Sequence, residues 1–200
     1  CAVGGCIVDS GNFDWTVHAE KFPGLTTPDE SYHGLVYTER FGLSGAYITK
    51  ATAQLMRDLG SAQSPQSAYL LNLGLESLHL RMVQHCANAL ALAQFLQKHP
   101  AVSWVRYPGL EGDPEYDRAR KYLSHGSCGV ISFGLKAGRQ AAQDFMQKLT
   151  IAAIETHVAD ARSCCLHPAS TTHSQMTPEE LTEKLSRQRM VVGVHCGYNL

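Results

Sequence analysis

Cysteine, histidine and lysine are the side chains of this chain whose presence invites a chemical reading, and spacing decides what each can do. The seven cysteines, Cys1, Cys6, Cys86, Cys128, Cys164, Cys165 and Cys196, contain no C-x-x-C pair. A bridge between the adjacent Cys164 and Cys165 would be strained, so a disulfide framework is not expected. The ten histidines include no H-x-x-x-H, and without such ligand spacing a structural metal site is not expected. Lys50, in Tyr47-Ile48-Thr49-Lys50, follows a threonine within a helical pattern, where a solvated lysine is ordinary. There is no G-x-G-x-x-G after a strand, no Walker loop, no G-x-S-x-G and no carboxylate pair set apart by its spacing.

Composition narrows the function classes. Seventeen Lys and Arg stand against eighteen Asp and Glu, a formal charge of −1, which lacks the basic field that nucleic acid or an anionic membrane surface attracts. At 44% hydrophobic and 18% charged, the chain can bury a core. No apolar run approaches the ~20 residues of a membrane span, and the opening CAVGGCIVDSG lacks the basic start and apolar centre of a secretory signal. A soluble, cytoplasmic protein is expected.

Any chemistry must be positioned by the elements around it. Gly4–Val8 is a β-branched run between glycines and predicts a strand. Residues 12–45, rich in Gly, Pro, Thr and aromatics without sustained period, predict a long ordered loop. Tyr47, Ala51, Leu55 and Leu59 recur every fourth position before Gly60, which predicts a helix from Ala46 to Leu59. A second helix is expected from about Ser67 to His99, with Leu71, Leu75, Leu78, Met82, Cys86, Leu90, Ala93 and Leu96 on one stripe and Pro100 as its stop. Beyond it strands at Val102–Tyr107, Gly129–Lys136, Ile151–Glu155, Ser163–Leu166 and Met190–Val194 alternate with helices at Pro114–Leu123, Gly138–Leu149 and Pro178–Arg187. That alternation indicates an α/β layer, and the change near Pro100 marks a candidate boundary.

Several words occur in a fixed order: Ser10-Gly11-x-Phe13-Asp14-Trp15, Tyr32-His33-Gly34-Leu35-Val36-Tyr37-Thr38-Glu39, Arg57-Asp58-Leu59-Gly60 and Gly74-Leu75-Glu76-Ser77-Leu78. They continue with Val105-x-Tyr107-Pro108-Gly109-Leu110, Asp160-Ala161-x-Ser163 and His167-Pro168-Ala169-Ser170-Thr171-Thr172-His173. Together they resemble the pyridoxal-phosphate (PLP) enzymes of cysteine and methionine metabolism, and most closely the O-acetylhomoserine sulfhydrylase, or homocysteine synthase, branch. The resemblance implies an α/β fold, the C-terminal part of a fold-type I PLP-dependent transferase. Residues 1–60 would be the end of the large cofactor domain, 61–100 a connecting helix and 101–200 the small α/β domain. The implied reaction replaces the acetoxy group of O-acetylhomoserine by sulfide, giving homocysteine, in a homo-oligomer.

It also implies what lies elsewhere. The Schiff-base lysine of the family falls in a Ser-x-Thr-Lys word upstream of the position of Cys1, so no catalytic residue is expected within these 200 residues, and the chain alone is expected to be inactive. Cofactor-binding residues are not assigned. The expected substrate-binding residues are Ser163 from the D-A-x-S word, Arg189 from Arg189-Met190-Val191-Val192-Gly193 and Thr172 after the HPAS turn. Arg189 would meet an α-carboxylate with two parallel charge-assisted hydrogen bonds, with Arg187 as a second candidate. A surface arginine opening an edge strand, a strand-edge serine and ordinary turn chemistry at Thr172 are the plainer readings. A cystathionine γ-synthase or γ-lyase relative and a non-catalytic truncated paralogue remain the alternatives.

Overall fold

The computed structural model describes residues 2–157, 160–177, 179–180 and the backbone of 192–195. The helix expected at Pro178–Arg187 falls mostly outside these residues, and Arg187 and Arg189 fall wholly outside them. The chain divides into two compact units, Cys1–Leu75 and Glu76–Leu200.

In the first unit the strand expected at Gly4–Val8 does not form: residues 2–10 lie in no strand or helix. A β-branched run becomes a strand only where another backbone accepts its ladder, and Val8 here is 87% exposed. The long loop expected over 12–45 is instead folded into short helices, 3-10 turns at Trp15–Lys21 and Glu30–Tyr32 and α1 at Pro23–Thr26. Local caps start them. Asp14 accepts the Thr16 N–H at 2.9 Å, Asp29 accepts the Ser31 N–H at 3.0 Å, and Pro23 takes a first-turn position that needs no donor. Tyr32-His33-Gly34-Leu35 closes a tight turn with His33 at φ 57° and Gly34 at φ 81°. Asp29 and Leu35 bridge across it.

α2 (Tyr37–Lys50) starts well before the expected Ala46 and runs through a π-helical segment, Ala51–Met56, into α3 (Arg57–Leu59). Gly42, at φ 66° and ψ −174°, interrupts it, and Gly60 at φ 67° terminates it in the left-handed region. The early start follows from burial rather than period. Tyr37, Ala46 and Leu25 form this unit's core, and Trp15 stacks on Tyr47 at 5.4 Å.

α4 (Pro65–Glu76) has no buried residue although Tyr69, Leu71, Leu73 and Leu75 are exposed apolar side chains. With Val3 at 91% and Leu59 at 76% exposure, this unit leaves many large apolar side chains uncovered, which favours association where they adjoin. Self-association of the 200-residue chain is expected. Light scattering across a concentration series should show mass growing with concentration, and a concentration-independent monomer would contradict it.

The second unit holds the α/β layer that the alternation predicted. α5 (Leu78–Lys98) is separated from α4 by Ser77, whose φ −103° and ψ 1° are not helical, so the single helix expected over 67–99 is two elements. β1 (Val102–Arg106), α6 (Tyr116–Tyr122), β2 (Val130–Leu135), α7 (Gly138–Gln147), β3 (Ala153–Ile154), β4 (Cys164–Leu166) and β5 (Val192–His195) follow. The strands form one sheet in the order β1-β2-β5-β4-β3, with β3 and β4 parallel and the other pairs antiparallel. α5 and α7 pack on it, and Ala89, Ala93, Leu96, Ile131, Phe133, Ala142, Met146 and Cys165 make the core. The face of α5 that is buried carries His85, Ala89, Ala93 and Leu96; the expected stripe member Met82 is 37% exposed. Alanines let the helix axis approach the sheet more closely than a leucine stripe would.

Among the described residues no helix is long and apolar enough to cross a membrane.

Candidate functional site

Asp160 and Ser163 illustrate how a short word builds a site. The Asp160 carboxylate accepts the Arg162 backbone N–H at 3.0 Å, an Asx-type turn that reverses the chain just before β4. That bond first, and then the Arg162 guanidinium, hold the Asp160 carboxyl down at about 2. Ser163 emerges fully buried, and its carbonyl accepts the Ala153 N–H at 3.0 Å, tying it to the start of β3. It lines a cavity of about 260 Å³ walled by Leu92, Leu96, Phe133, Phe145 and Ile151, with Lys148 on the same lining.

Beside this turn, ligand atoms of Glu155, His157 and Asp160 lie within 4.8 Å of one another. Arg162 stands 3.6 Å from Glu155 and 3.5 Å from Asp160, so a guanidinium already supplies the positive charge that this group of side chains attracts. The sequence reading named Asp160 only as part of a word and missed Glu155 and His157, because their convergence depends on β3 lying beside β4.

The HPAS word folds into a 3-10 turn, Pro168–Ser170. The His167 carbonyl accepts the Thr171 hydroxyl at 2.9 Å, and its ring Nδ1 lies 2.9 Å from the Ser170 hydroxyl. Burial, reinforced by the nearby Arg139 charge, pushes the His167 imidazole below its ordinary value of 6.5. Thr172 is exposed and pairs with the His173 ring at 2.9 Å. Of the expected substrate-binding residues, then, Ser163 sits in the interior and Thr172 faces solvent, as turn chemistry alone would place it. Arg189 lies outside the described residues, while the backbone of β5 is antiparallel to β4, with Leu166 opposite Gly193.

His167 makes stability depend on pH. Its neutral form is favoured in the folded state, so the unfolded chain binds more protons as pH falls below about 6.5, and stability drops. Urea unfolding of the second unit between about pH 7 and about pH 5 should show this loss, and His167→Gln should flatten the dependence. An unchanged slope in that variant would contradict the assignment.

Lys50 departs from its expected role as a solvated surface residue: its side chain is 18% exposed. The ammonium lies 3.0 Å from Asp29 and 2.5 Å from the Gln54 carbonyl, and sits over the Tyr37 ring at 4.6 Å. Gln54 donates to the Ser31 hydroxyl at 2.9 Å, and that hydroxyl donates to Asp29 at 2.6 Å, closing a ring of polar contacts. The Ser31 hydroxyl first, then Lys50, hold the Asp29 carboxyl at about 2. Tyr37 is buried, its hydroxyl has no hydrogen-bond partner among the described residues, and burial pushes its pKa above the ordinary value of 10. A D-x-S cap and a Lys and Gln four residues apart were visible signals, but only the turn at His33-Gly34 brings them together.

This arrangement bears on whether a carbonyl cofactor can be tethered here. A lysine that forms a Schiff base must be free to reach the carbonyl, whereas Lys50 is engaged by Asp29, Gln54 and the Tyr37 ring. Every other described lysine is exposed. Among the described residues, then, no lysine is both enclosed and unpartnered, as a dedicated attachment site for such a group requires.

A family model described as Cys/Met metabolism PLP-dependent enzyme matches residues 2–199. The chain belongs to that family. Among its PLP-family relatives, homocysteine synthase of Schizosaccharomyces pombe is 45% identical over 178 residues, covering 89% of this chain and 41% of the relative. O-acetyl-L-homoserine sulfhydrylase 1 of Thermus thermophilus is 46% identical over 178 residues, covering 89% of this chain and 42% of the relative. A crystal structure of a putative O-acetylhomoserine (thiol)-lyase from Campylobacter jejuni, which carries a pyridoxyl-lysine, superposes with a TM-score of 0.78 at 32% identity. It matches 90% of this chain and 42% of its own length. The chain thus spans well under half the length of these family members, and its fold is that of part of a fold-type I PLP-dependent enzyme.

Proposed function

We propose that this chain forms the substrate-carboxylate-gripping part of an O-acetylhomoserine sulfhydrylase, an enzyme that replaces the acetoxy group of O-acetylhomoserine by sulfide to give homocysteine. Relatives named for this activity at 45% and 46% identity carry the reading. Residues 1–60 belong in it to the cofactor domain, 61–100 to the connecting segment and 101–200 to the small domain. The working enzyme is a cytoplasmic homo-oligomer.

The residues have separable tasks. Ser163, delivered by the Asp160 turn, orients the amino-acid carboxylate, and Arg189 neutralises it; a charge-assisted hydrogen bond of this kind is worth ~1.5–3 kcal/mol. Thr172, on the exposed turn, stands at the entrance. The apolar walls around Ser163 exclude water, which strengthens each of these contacts. PLP, in an enzyme of this family, supplies the electron sink for carbanion chemistry. Taken alone, the 200-residue chain is non-catalytic, because the family's Schiff-base word, Ser-x-Thr-Lys followed by Gly-His, is not among its residues.

A chimera tests this. In the Thermus thermophilus relative, the matched span is replaced by this chain, and homocysteine formation from O-acetylhomoserine and sulfide is followed. Activity is expected, with Ser163→Ala raising KM by roughly tenfold or more at nearly unchanged kcat, as loss of a uniform binding contact requires. A folded chimera that loads PLP but leaves O-acetylhomoserine unconverted, while cleaving cystathionine, would transfer the reading to the γ-lyase relatives.

A further inference from the structure

A cleft of about 470 Å³ opens in the second unit where α5, the turn after β1 and the connection from α6 to β2 meet. Its floor is fixed by Tyr107, 1% exposed, whose hydroxyl donates between the Cys86 carbonyl at 3.3 Å and the Cys128 carbonyl at 3.0 Å. Its rim depends on Gly126. At φ +136° and with its position 2.7 Å from the Cys86 sulfur for any added Cβ, only glycine lets that loop lie against the helix.

The lining is mixed. Leu90 and Leu123 contribute apolar surface to it, and Arg120, Ser124 and Ser127 contribute polar groups. Arg120 donates to the Tyr116 hydroxyl at 3.2 Å and lies over its ring at 5.7 Å, which orients the guanidinium but uses one of its five donors. No carboxylate pairs with Arg120 among the described residues. The hydroxyls of Ser124 and Ser127 likewise have no protein partner among the described residues. Asp117 and Glu111 lie close enough to act on Arg120 electrostatically, and their negative field disfavours a doubly charged ligand.

An apolar cleft with a few convergent polar groups, in the ~300–1,000 Å³ range, is the usual form of a small-molecule site. A guanidinium fork matches a planar carboxylate. We propose that this cleft binds a small organic monocarboxylate, its carboxylate on Arg120 and the serine hydroxyls and its apolar body against Leu90 and Leu123. None of these residues belongs to the Ser163 site, so the inference stands apart from the proposed reaction.

The test uses 3-phenylpropanoate with the 200-residue chain, followed by saturation-transfer NMR, and 3-phenylpropanol as the neutral counterpart. Saturable binding of the acid is expected, weakened about tenfold or more by Arg120→Gln and a few-fold by Ser124→Ala. Both residues are exposed, and a thermal melt of each variant confirms its fold. The alcohol should bind the parent chain no more tightly than the acid binds Arg120→Gln, and Lys148→Gln, on the Ser163 cavity, should change nothing. Absence of saturable binding, equal affinity for acid and alcohol, or a loss that follows Lys148→Gln instead of Arg120→Gln would each overturn the proposal.

Discussion

Incubated with PLP and reduced with borohydride, the 200-residue chain is expected to retain no stoichiometric pyridoxyl group on any one lysine and to convert no O-acetylhomoserine. The reason is the state of Lys50. Its partner Asp29 has its carboxyl held at about 2, so at neutral pH Lys50 faces an anion 3.0 Å away, and its nitrogen would have to leave that contact to reach an aldehyde. The Gln54 carbonyl and the Tyr37 ring hold the same ammonium from other sides. Exposed lysines can react with PLP, but only as a scattered, substoichiometric background. Since enzymes exceed uncatalysed rates by about a millionfold or more, the expected turnover is indistinguishable from that of PLP in buffer. Peptide mass mapping after reduction, together with a homocysteine assay, checks both halves; a one-to-one adduct on a single lysine with turnover would refute the inactive reading.

Replacing Phe133 by alanine is expected to remove ~3–5 kcal/mol from the stability of the second unit, a large part of the ~5–15 kcal/mol typical of a whole domain. Phe133 is 1% exposed and stands in β2, where it is paired with Val105 on one side and Val192 on the other. It meets Phe145 edge-on at 5.8 Å, a contact worth ~0.5–1.5 kcal/mol beyond its buried area. It also lines the Ser163 cavity, so truncation enlarges a void that the sheet cannot collapse around. Phe95→Ala is the control. That ring is 61% exposed, and its loss should cost less than about 0.5 kcal/mol, as for most surface changes. Urea unfolding of the two variants should separate them clearly; costs within about 1 kcal/mol of each other would show that the core does not rest on β2.

Much of the second unit was legible because its signals are local. Pro100 stops α5 near Lys98, alternation over Val102–Arg106 and Val130–Leu135 marks strands, and α6 and α7 were placed within a few residues of where they lie. The first unit was less legible. An irregular composition over 12–45 reads as loop, yet Asp14, Pro23 and Asp29 start three short helices that have no period to detect. Gly4–Val8 reads as strand but has no ladder to join. In α5 the expected stripe was right at its end, where Ala93 and Leu96 are buried, but it missed His85 and Ala89, which are buried with them.

The site divides along the same line. Order of words along the chain was enough to assign the family, since family membership is written in residue identities that survive without reference to shape, and it named Ser163 as a candidate. Whether Ser163 is buried, whether Thr172 faces solvent and which groups surround Lys50 were decided by packing. Each depends on partners distant along the chain: Ala153 for Ser163, Asp29 for Lys50, Cys86 and Cys128 for Tyr107. Local preference reaches a few residues, whereas the charge state and exposure of a side chain answer to whatever folding brings within a few ångströms of it.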